Sequence, residues 1–360
     1  MVNNLQRLRA VFLVLVITLT TISVVSCQDN NPKKEKITNA IGMKKYEWRP
    51  SACAPKFSPV QIHKGSFIYE NEESIYIPSG HTLDQGWGKL GATHIVGDDS
   101  KPIPVKLEIT WLSYLEKKFY KGSFDLPSKK IETLFAEGYM DRLGQKKTYS
   151  RINVGLAPGG IVVVWLMGNG WSTEVDRFVA SETEVTIQEF APSAMMTIEE
   201  FIDDTLEEDF DEETKSKMNP EQIPYGIWDT YRKKYNWKPV VMYQEPDDLK
   251  EILIDFVNGE SLNTIGDNPV LGQNKERPVA DYFRLKWKDK NNNDYGAKIF
   301  FDYRETQEAF DKIYQNPKVE QVDLILKIDK YNSDIELSVK SDSEVIMLEK
   351  ARVKIYETSN

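Results

Sequence analysis

Two of the chain's three histidines, His81 and His94, fall in one glycine-punctuated stretch, Ser79–Asp99, together with Asp84, Gln85 and Trp87. Imidazole and carboxylate side by side are the material of metal sites and of acid–base chemistry. The third, His63, lies upstream. A metal needs three or four donors converging in space, and histidine spacings of 18 and 13 match no ligand signature. No metal and no cofactor is therefore expected. Nucleophilic chemistry is no better supported, because the chain has no Gly-x-Ser-x-Gly elbow. Cys53 reads as a small apolar core residue rather than a nucleophile. No catalytic residue is assigned.

Trp87 and Trp171 are flanked by glycine and could present a ring face to a sugar, although burial in a core is the plainer role for each. Asp289–Gly296 resembles a calcium loop in composition. Its sixth position is Asp294 instead of glycine and its twelfth is Phe300 instead of glutamate, so a polar hairpin turn is the better reading. The acids from Glu199 to Asp209 lie opposite an apolar helical stripe and read as a wet face.

The elements that must carry these residues come in two similar sets. Pro102 is followed nine positions later by Trp111, and Pro278 nine positions later by Trp287. Leu107, Ile109 and Trp111 alternate with Lys106, Glu108 and Thr110, as Phe283, Leu285 and Trp287 alternate with Tyr282, Arg284 and Lys286. Period-two alternation predicts half-buried strands of antiparallel sheets. Tyr46-Glu47-Trp48-Arg49-Pro50 is echoed by Tyr235-Asn236-Trp237-Lys238-Pro239, and Asn71-Glu72-Glu73-Ser74 by Asn258-Gly259-Glu260-Ser261. Phe124-Asp125 and Phe301-Asp302 each precede a helical pattern with a core phenylalanine, Phe135 or Phe310. The order of these echoes predicts an α+β chain of two tandem, internally duplicated, mainly antiparallel β-sheet units. Each unit has a packed helix, and a helical bridge joins them. The units are 45–195 and 235–360, and the bridge is 196–234.

Other expectations are local. Arg151–Ala157 and Ile161–Met167 form a hairpin around Pro158-Gly159-Gly160. Thr197 with Glu200, and Asp302 with Glu305, form capping boxes, and Ser128 caps the first unit's helix. Val175–Ile187 is a strand. Leu249–Val257 fits a helix by spacing but is assigned as a strand from the duplication.

The leading segment predicts location. Arg7 and Arg9 precede the apolar run Ala10–Val25, which ends in Val24-Val25-Ser26-Cys27. This is the pattern of a lipoprotein signal, 1–26, with cleavage leaving lipid on Cys27 and a polar tether over 27–44. Removing 1–26 takes two arginines and no acid, so the net charge moves from −10 to −12. An acidic protein held at a membrane is a poor binder of nucleic acid. The expected place is the cell envelope, preferably the outer membrane. Cys53 would then be the one remaining thiol, so no intramolecular disulfide can form.

With these residues in view the chain resembles domain-of-unknown-function family 2931, bacterial envelope lipoproteins. The resemblance is carried by the lipobox at Cys27, Trp48 with Ala54-Pro55, Gly86-Trp87-Gly88, the Pro102-to-Trp111 strand and Ala157-Pro158-Gly159-Gly160 with Trp165. Ile227-Trp228-Asp229-Thr230-Tyr231-Arg232 and Asn258-Gly259-Glu260 add to it. It implies localisation and approximate fold and brings no catalytic residue.

Shared residues belong first to a shared fold, so function is sought where the two units differ. Asn71 to Pro102 spans 31 positions and Asn258 to Pro278 only 20. The excess falls in Ser79–Asp99, and long irregular loops on a rigid sheet concentrate binding sites. His81, Asp84, Trp87, His94 and Trp171 are therefore the candidate ligand- or partner-binding residues. The expected function is a non-catalytic, lipid-anchored binding module for an envelope protein partner, immunity-type binding of a toxin included. The alternative is an envelope hydrolase or glycan-binding protein using the 79–99 loop.

Overall fold

A computed structural model describes residues 44–91, 93, 97–245 and 247–358. The predicted signal segment 1–26, Cys27 and His94 lie outside the described residues. The chain begins with β1 (Lys45–Glu47), β2 (Arg49–Cys53), β3 (Val60–Ile68), β4 (Ser74–Tyr76) and β5 (Thr82–Leu83). After the glycine-rich loop come β6 (Ser100–Pro102), β7 (Lys106–Ser113), β8 (Lys118–Asp125) and helix α1 (Ser128–Glu137). Next are β9 (Tyr139–Met140), β10 (Lys146–Lys147), β11 (Arg151–Ala157), β12 (Ile161–Met167), β13 (Ser172–Val179) and β14 (Ser181–Thr183). Four α-helices follow, α2 (Ile187–Phe190), α3 (Ile198–Glu208), α4 (Glu212–Lys215) and α5 (Ile227–Thr230), with a 3-10 turn at Pro220–Gln222 before the last.

The C-terminal half starts with β15 (Tyr235–Tyr243), β16 (Asp248–Phe256), β17 (Ser261–Ile265) and β18 (Lys275–Arg277). It continues with β19 (Ala280–Lys288), β20 (Asp294–Phe300) and helix α6 (Tyr303–Tyr314). It closes on β21 (Val322–Ile328), β22 (Ile335–Lys340), β23 (Val345–Met347) and β24 (Arg352–Glu357). The fold is mixed α+β with mostly antiparallel sheets; β2–β11 and β15–β21 pair parallel.

One sheet crosses from one half to the other. Its nine strands run β2-β11-β12-β13-β17-β16-β19-β20-β24, and the crossing is made by β13 and β17 at Ser172 and Ser261. A six-stranded sheet built on β14-β8-β7-β3-β4 faces its first part across a core containing Trp48, Phe67, Trp111 and Val164. A five-stranded sheet, β18-β15-β21-β22-β23, faces its second part across a core containing Trp237, Phe283, Trp287 and Phe310. The same side-chain alternation explains why β12 is apolar throughout. Val162, Val164 and Leu166 enter the first core, while Ile161, Val163, Trp165 and Met167 join a cluster with Cys53 and Trp228 on the other face. A strand covered on both faces has no side to give to water.

The sequence echoes recur as matched geometry. Tyr46 pairs with Lys101 across β1 and β6, and Tyr235 with Arg277 across β15 and β18. Trp48 Nε1 donates to the Pro102 carbonyl at 3.1 Å, and Trp237 Nε1 to the Pro278 carbonyl at 3.1 Å. Tyr46 lies 5.0 Å from Phe135 of α1, and Tyr235 lies 5.1 Å from Phe310 of α6. Asn71 Oδ1 accepts from Glu73 N in the β3–β4 turn, and Asn258 Oδ1 accepts from Glu260 N in the β16–β17 turn.

Local expectations can be settled by the same geometry. The β11–β12 hairpin has the predicted bounds, and Thr197 with Glu200 forms a full capping box. Segment 248–256 is a strand, because β17 and β19 satisfy its backbone on both sides. Three details differ. Pro127, not Ser128, stands at the N-cap of α1, without a side-chain cap. Asp302 caps α6, but the Glu305 carboxylate turns away to accept from Glu349 N and Lys350 N. The predicted 175–187 strand breaks into β13, β14 and the start of α2, because Thr186 makes a capping box with Glu189. Asp289 Oδ1 accepts from Asn291 N and Asn293 N, which makes Asp289–Asn293 the expected hairpin turn, while Asp294–Gly296 already belong to β20.

Candidate functional site

The outward face of the nine-stranded sheet is partly roofed. The loop Gln85–Leu90 and the segment Lys217–Tyr231 fold over it and partly cover a cavity of about 990 Å³ at the seam between the halves. Leu253 and Asp255 from β16, Tyr282 from β19 and Phe300 from β20 project into it from the sheet. Cross-strand register explains that shared face, since Asp255 pairs with Tyr282 and Tyr282 with Phe300. A pocket of a few hundred to a thousand Å³ with mainly apolar walls and few polar groups is the usual form of a ligand site.

The roof is held by aromatic packing. Trp87 meets Trp165 edge-on at 5.0 Å and lies 6.1 Å from Trp228 of α5. Behind Trp87 the backbone of Gly88 presses on the β16–β17 turn. A Cβ on Gly88 would lie 2.5 Å from the Gly259 carbonyl oxygen, and both glycines have positive φ, +66° and +87°. No side chain fits between them.

Trp171 lines the cavity as well, but its main work is at the seam. It packs against both cores, stacks on Tyr139 at 5.1 Å and donates from Nε1 to the Asn263 carbonyl at 2.9 Å. Beside it Glu174 of β13 accepts from Arg232 at 2.7 Å and from Asn258 Nδ2 at 3.1 Å, while its own amide donates to Glu260. Burial raises the Glu174 carboxyl above the ordinary value, with Arg232 opposing the rise.

The charged end of the cavity was not singled out from the sequence. Asp255 is paired with Lys89 at 2.7 Å. Asp281, near the start of β19, is exposed on the cavity side, and desolvation by the protein around it pushes its carboxyl up. Lys89 opposes that shift and Asp255 adds to it. Tyr231 and Tyr303 stand edge-to-face, 5.2 Å apart, and the Asp281 charge helps to raise the Tyr231 hydroxyl after desolvation and Tyr303. A comparison of the halves could have found these acids. Ile68 stands where Asp255 does before the matching turn. Val105 stands where Asp281 does, three positions after the proline, each accepting from the next strand's end (Leu126 N and Phe301 N).

The other candidates fall elsewhere. His81 is half-buried, with Nδ1 3.2 Å from the Ser79 carbonyl, and neither it nor Asp84 lines the cavity. His63 packs on Phe190 at 5.7 Å, and desolvation lowers its pKa. Among the described residues no three His, Cys, Asp or Glu side chains are grouped to hold a metal, and no helix is long and apolar enough to cross a membrane. Cys53 is fully buried, with Asn153 Nδ2 3.3 Å from its sulfur, and burial pushes its thiol up to about 11. Thiolate is the reactive form. Iodoacetamide at pH 8 is therefore expected to leave Cys53 unmodified in the folded chain and to alkylate it in denaturant, as read by mass spectrometry.

Comparison with known proteins gives one family. The model described as "Protein of unknown function (DUF2931)" matches residues 28–226. The match covers more than half of the chain and stops at Gly226, short of the resemblance read from the residues beyond it. No curated protein and no solved structure matches.

Proposed function

The chain belongs to the DUF2931 family of proteins of unknown function, and since that membership brings no activity, we propose one from the geometry: a non-catalytic ligand-binding protein of the bacterial envelope. The observation that carries the reading is the aromatic-walled seam cavity, built jointly by both halves and the segment between them. In this reading Cys27 carries the lipid, the tether reaches from the membrane, preferably the outer one, and the two-lobed body presents the cavity. The halves are two copies of one unit joined by a helical bridge; the recurring tryptophan, tyrosine–phenylalanine and asparagine-turn geometry supports this.

A deep, partly roofed cavity favours a small or extended molecule over the flat contact of a protein partner. Glycan binding, or hydrolysis, is the second reading. It is favoured by Trp87 and Trp171 in the lining near the acids Asp255 and Asp281.

The test uses the full chain in detergent, titrated with soluble envelope oligosaccharides and a metabolite panel, with tryptophan fluorescence as readout. At least one compound should give a saturable change, because Trp87 and Trp228 line the cavity. Leu253→Trp, which fills the cavity from the sheet side, should abolish the response. A response that survives that filling, or none from any compound, would overturn the reading. In the same preparations the wild type should partition with membranes and Cys27→Ser should not.

A further inference from the structure

The cavity's charges are unevenly matched. Lys89 is held by Asp255 at 2.7 Å, Lys217 by Glu213 at 2.6 Å, and Glu260 lies 3.6 Å from Lys234. Among the described residues, Asp281 and Lys56 are the lining charges that form no ion pair, and Lys56 sits on the exposed turn after β2. Asp281 is different in setting. It opens into the cavity on the sheet itself, its carboxylate makes no hydrogen bond among the described residues, and Tyr231 and Tyr303 line the same cavity. Arg304 lies over the Tyr303 ring at 5.7 Å and donates to its hydroxyl, without pairing with Asp281.

A carboxylate left unpaired on the wall of an aromatic-lined cavity is a ready acceptor for the N–H groups of a cation. Lys89 cannot serve fully, because Asp255 already holds it. A cavity that offers both an unpaired carboxylate and aromatic side chains suits a compact organic cation, which gains from the charge and from the rings. We propose that Asp281 anchors an organic ammonium or guanidinium group, so that the cavity's ligand carries a cationic head on a ring-bearing or apolar body. The inference rests on the cavity being the binding site, and it adds the chemical class of the ligand. Such a head could belong to a free amine, an amino sugar or a basic side chain.

The experiment compares probes that differ only in charge. Phenethylammonium is paired with 2-phenylethanol, glucosamine with glucose, and N-acetyl-lysine amide with its norleucine analogue. Each is titrated into the full chain and followed by ligand-observed NMR. At least one cationic probe is expected to bind roughly 10-fold or more tightly than its neutral partner, the scale of one charge-assisted hydrogen bond. Which pair shows the difference identifies the source of the cation. Asp281→Asn is nearly isosteric at an accessible strand start, so it should keep the wild-type melting temperature and erase the difference. Asp281→Glu should keep part of it. Neutral probes that bind as tightly as cationic ones, in wild type and Asp281→Asn alike, would overturn the cation site and leave the cavity reading standing. If no probe binds and no panel compound alters the tryptophan fluorescence, the cavity reading fails with it.

Discussion

Gly88→Ala is expected to destabilise the chain by about 3 kcal/mol or more, an effect out of proportion to one added methyl. The new Cβ would stand 2.5 Å from the Gly259 carbonyl oxygen and 2.8 Å from its carbonyl carbon, both backbone atoms that cannot rotate away. Gly88 also holds φ at +66°, where alanine is strained by about 1–2 kcal/mol. Overpacking adds about 1–3 kcal/mol. The Gly259 side has no room either, because the Trp165 ring lies 2.9 Å from where its own Cβ would be. The loss should appear as a lower urea midpoint with an unchanged slope. It should also expose Trp87, shifting fluorescence to the red. Gly97→Ala, with a similar positive φ but nothing among the described residues within 4 Å of its Cβ position, should show only the backbone part. Equal effects at the two glycines would refute the close contact between loop and turn.

The second large effect is electrostatic and depends on pH. Arg232→Ala removes the cation from Glu174, whose side chain is only 9% exposed, and leaves Asn258 as its side-chain partner. Stranding a buried charge costs about 3–5 kcal/mol, and the 38% exposure of Arg232 brings the expected loss nearer 2 kcal/mol. Glu174 is raised above its ordinary 4.5 even with Arg232 in place, and without it the rise is greater. A carboxyl raised on folding binds more protons in the folded than in the unfolded state. Stability from this group is thus present below the unfolded value and lost as pH rises through the folded value. The Arg232→Ala deficit should accordingly be largest near neutral pH and shrink as pH falls toward 4.5. Glu174→Gln in the same chain should remove most of that pH dependence. A deficit independent of pH would mean that Arg232 acts through packing alone.

Legibility followed from how local each cause was. The Trp111 and Trp287 strands, the β11–β12 hairpin and the Thr197 cap rest on alternation, a turn or a residue three positions away, and each could be read from the sequence. The nine-stranded sheet could not, because its crossing joins Ser172 to Ser261 and is lined by Glu174, Arg232, Asn258 and Glu260. Such residues look like solvated surface until the partner that buries them is known. The site was half legible for the same reason. Excess loop length pointed to Ser79–Asp99, and its Gln85–Leu90 part does roof the cavity, with Trp87 fixing the roof. His81 and Asp84 drew attention by chemical type alone and lie outside it. Asp281 was passed over because the repeated strand was treated as scaffold, although Val105 occupies its place in the other half.

The seam also sets how far such units could grow. A β13-type edge meeting a β17-type edge is a head-to-tail joint, with different surfaces on its two sides, and nothing in it closes on itself. Units joined this way can be added without limit, as in an open fibre. On the proposed duplication the two unused ends are β4 and β23, the counterparts of β17 and β13. The joined strands are five and eight residues long, Ser261–Ile265 and Ser172–Val179, whereas each free end has only three. Short edges template poorly. On that reading, a chain that fuses two units and trims the outer strands caps its own polymer at a length of two.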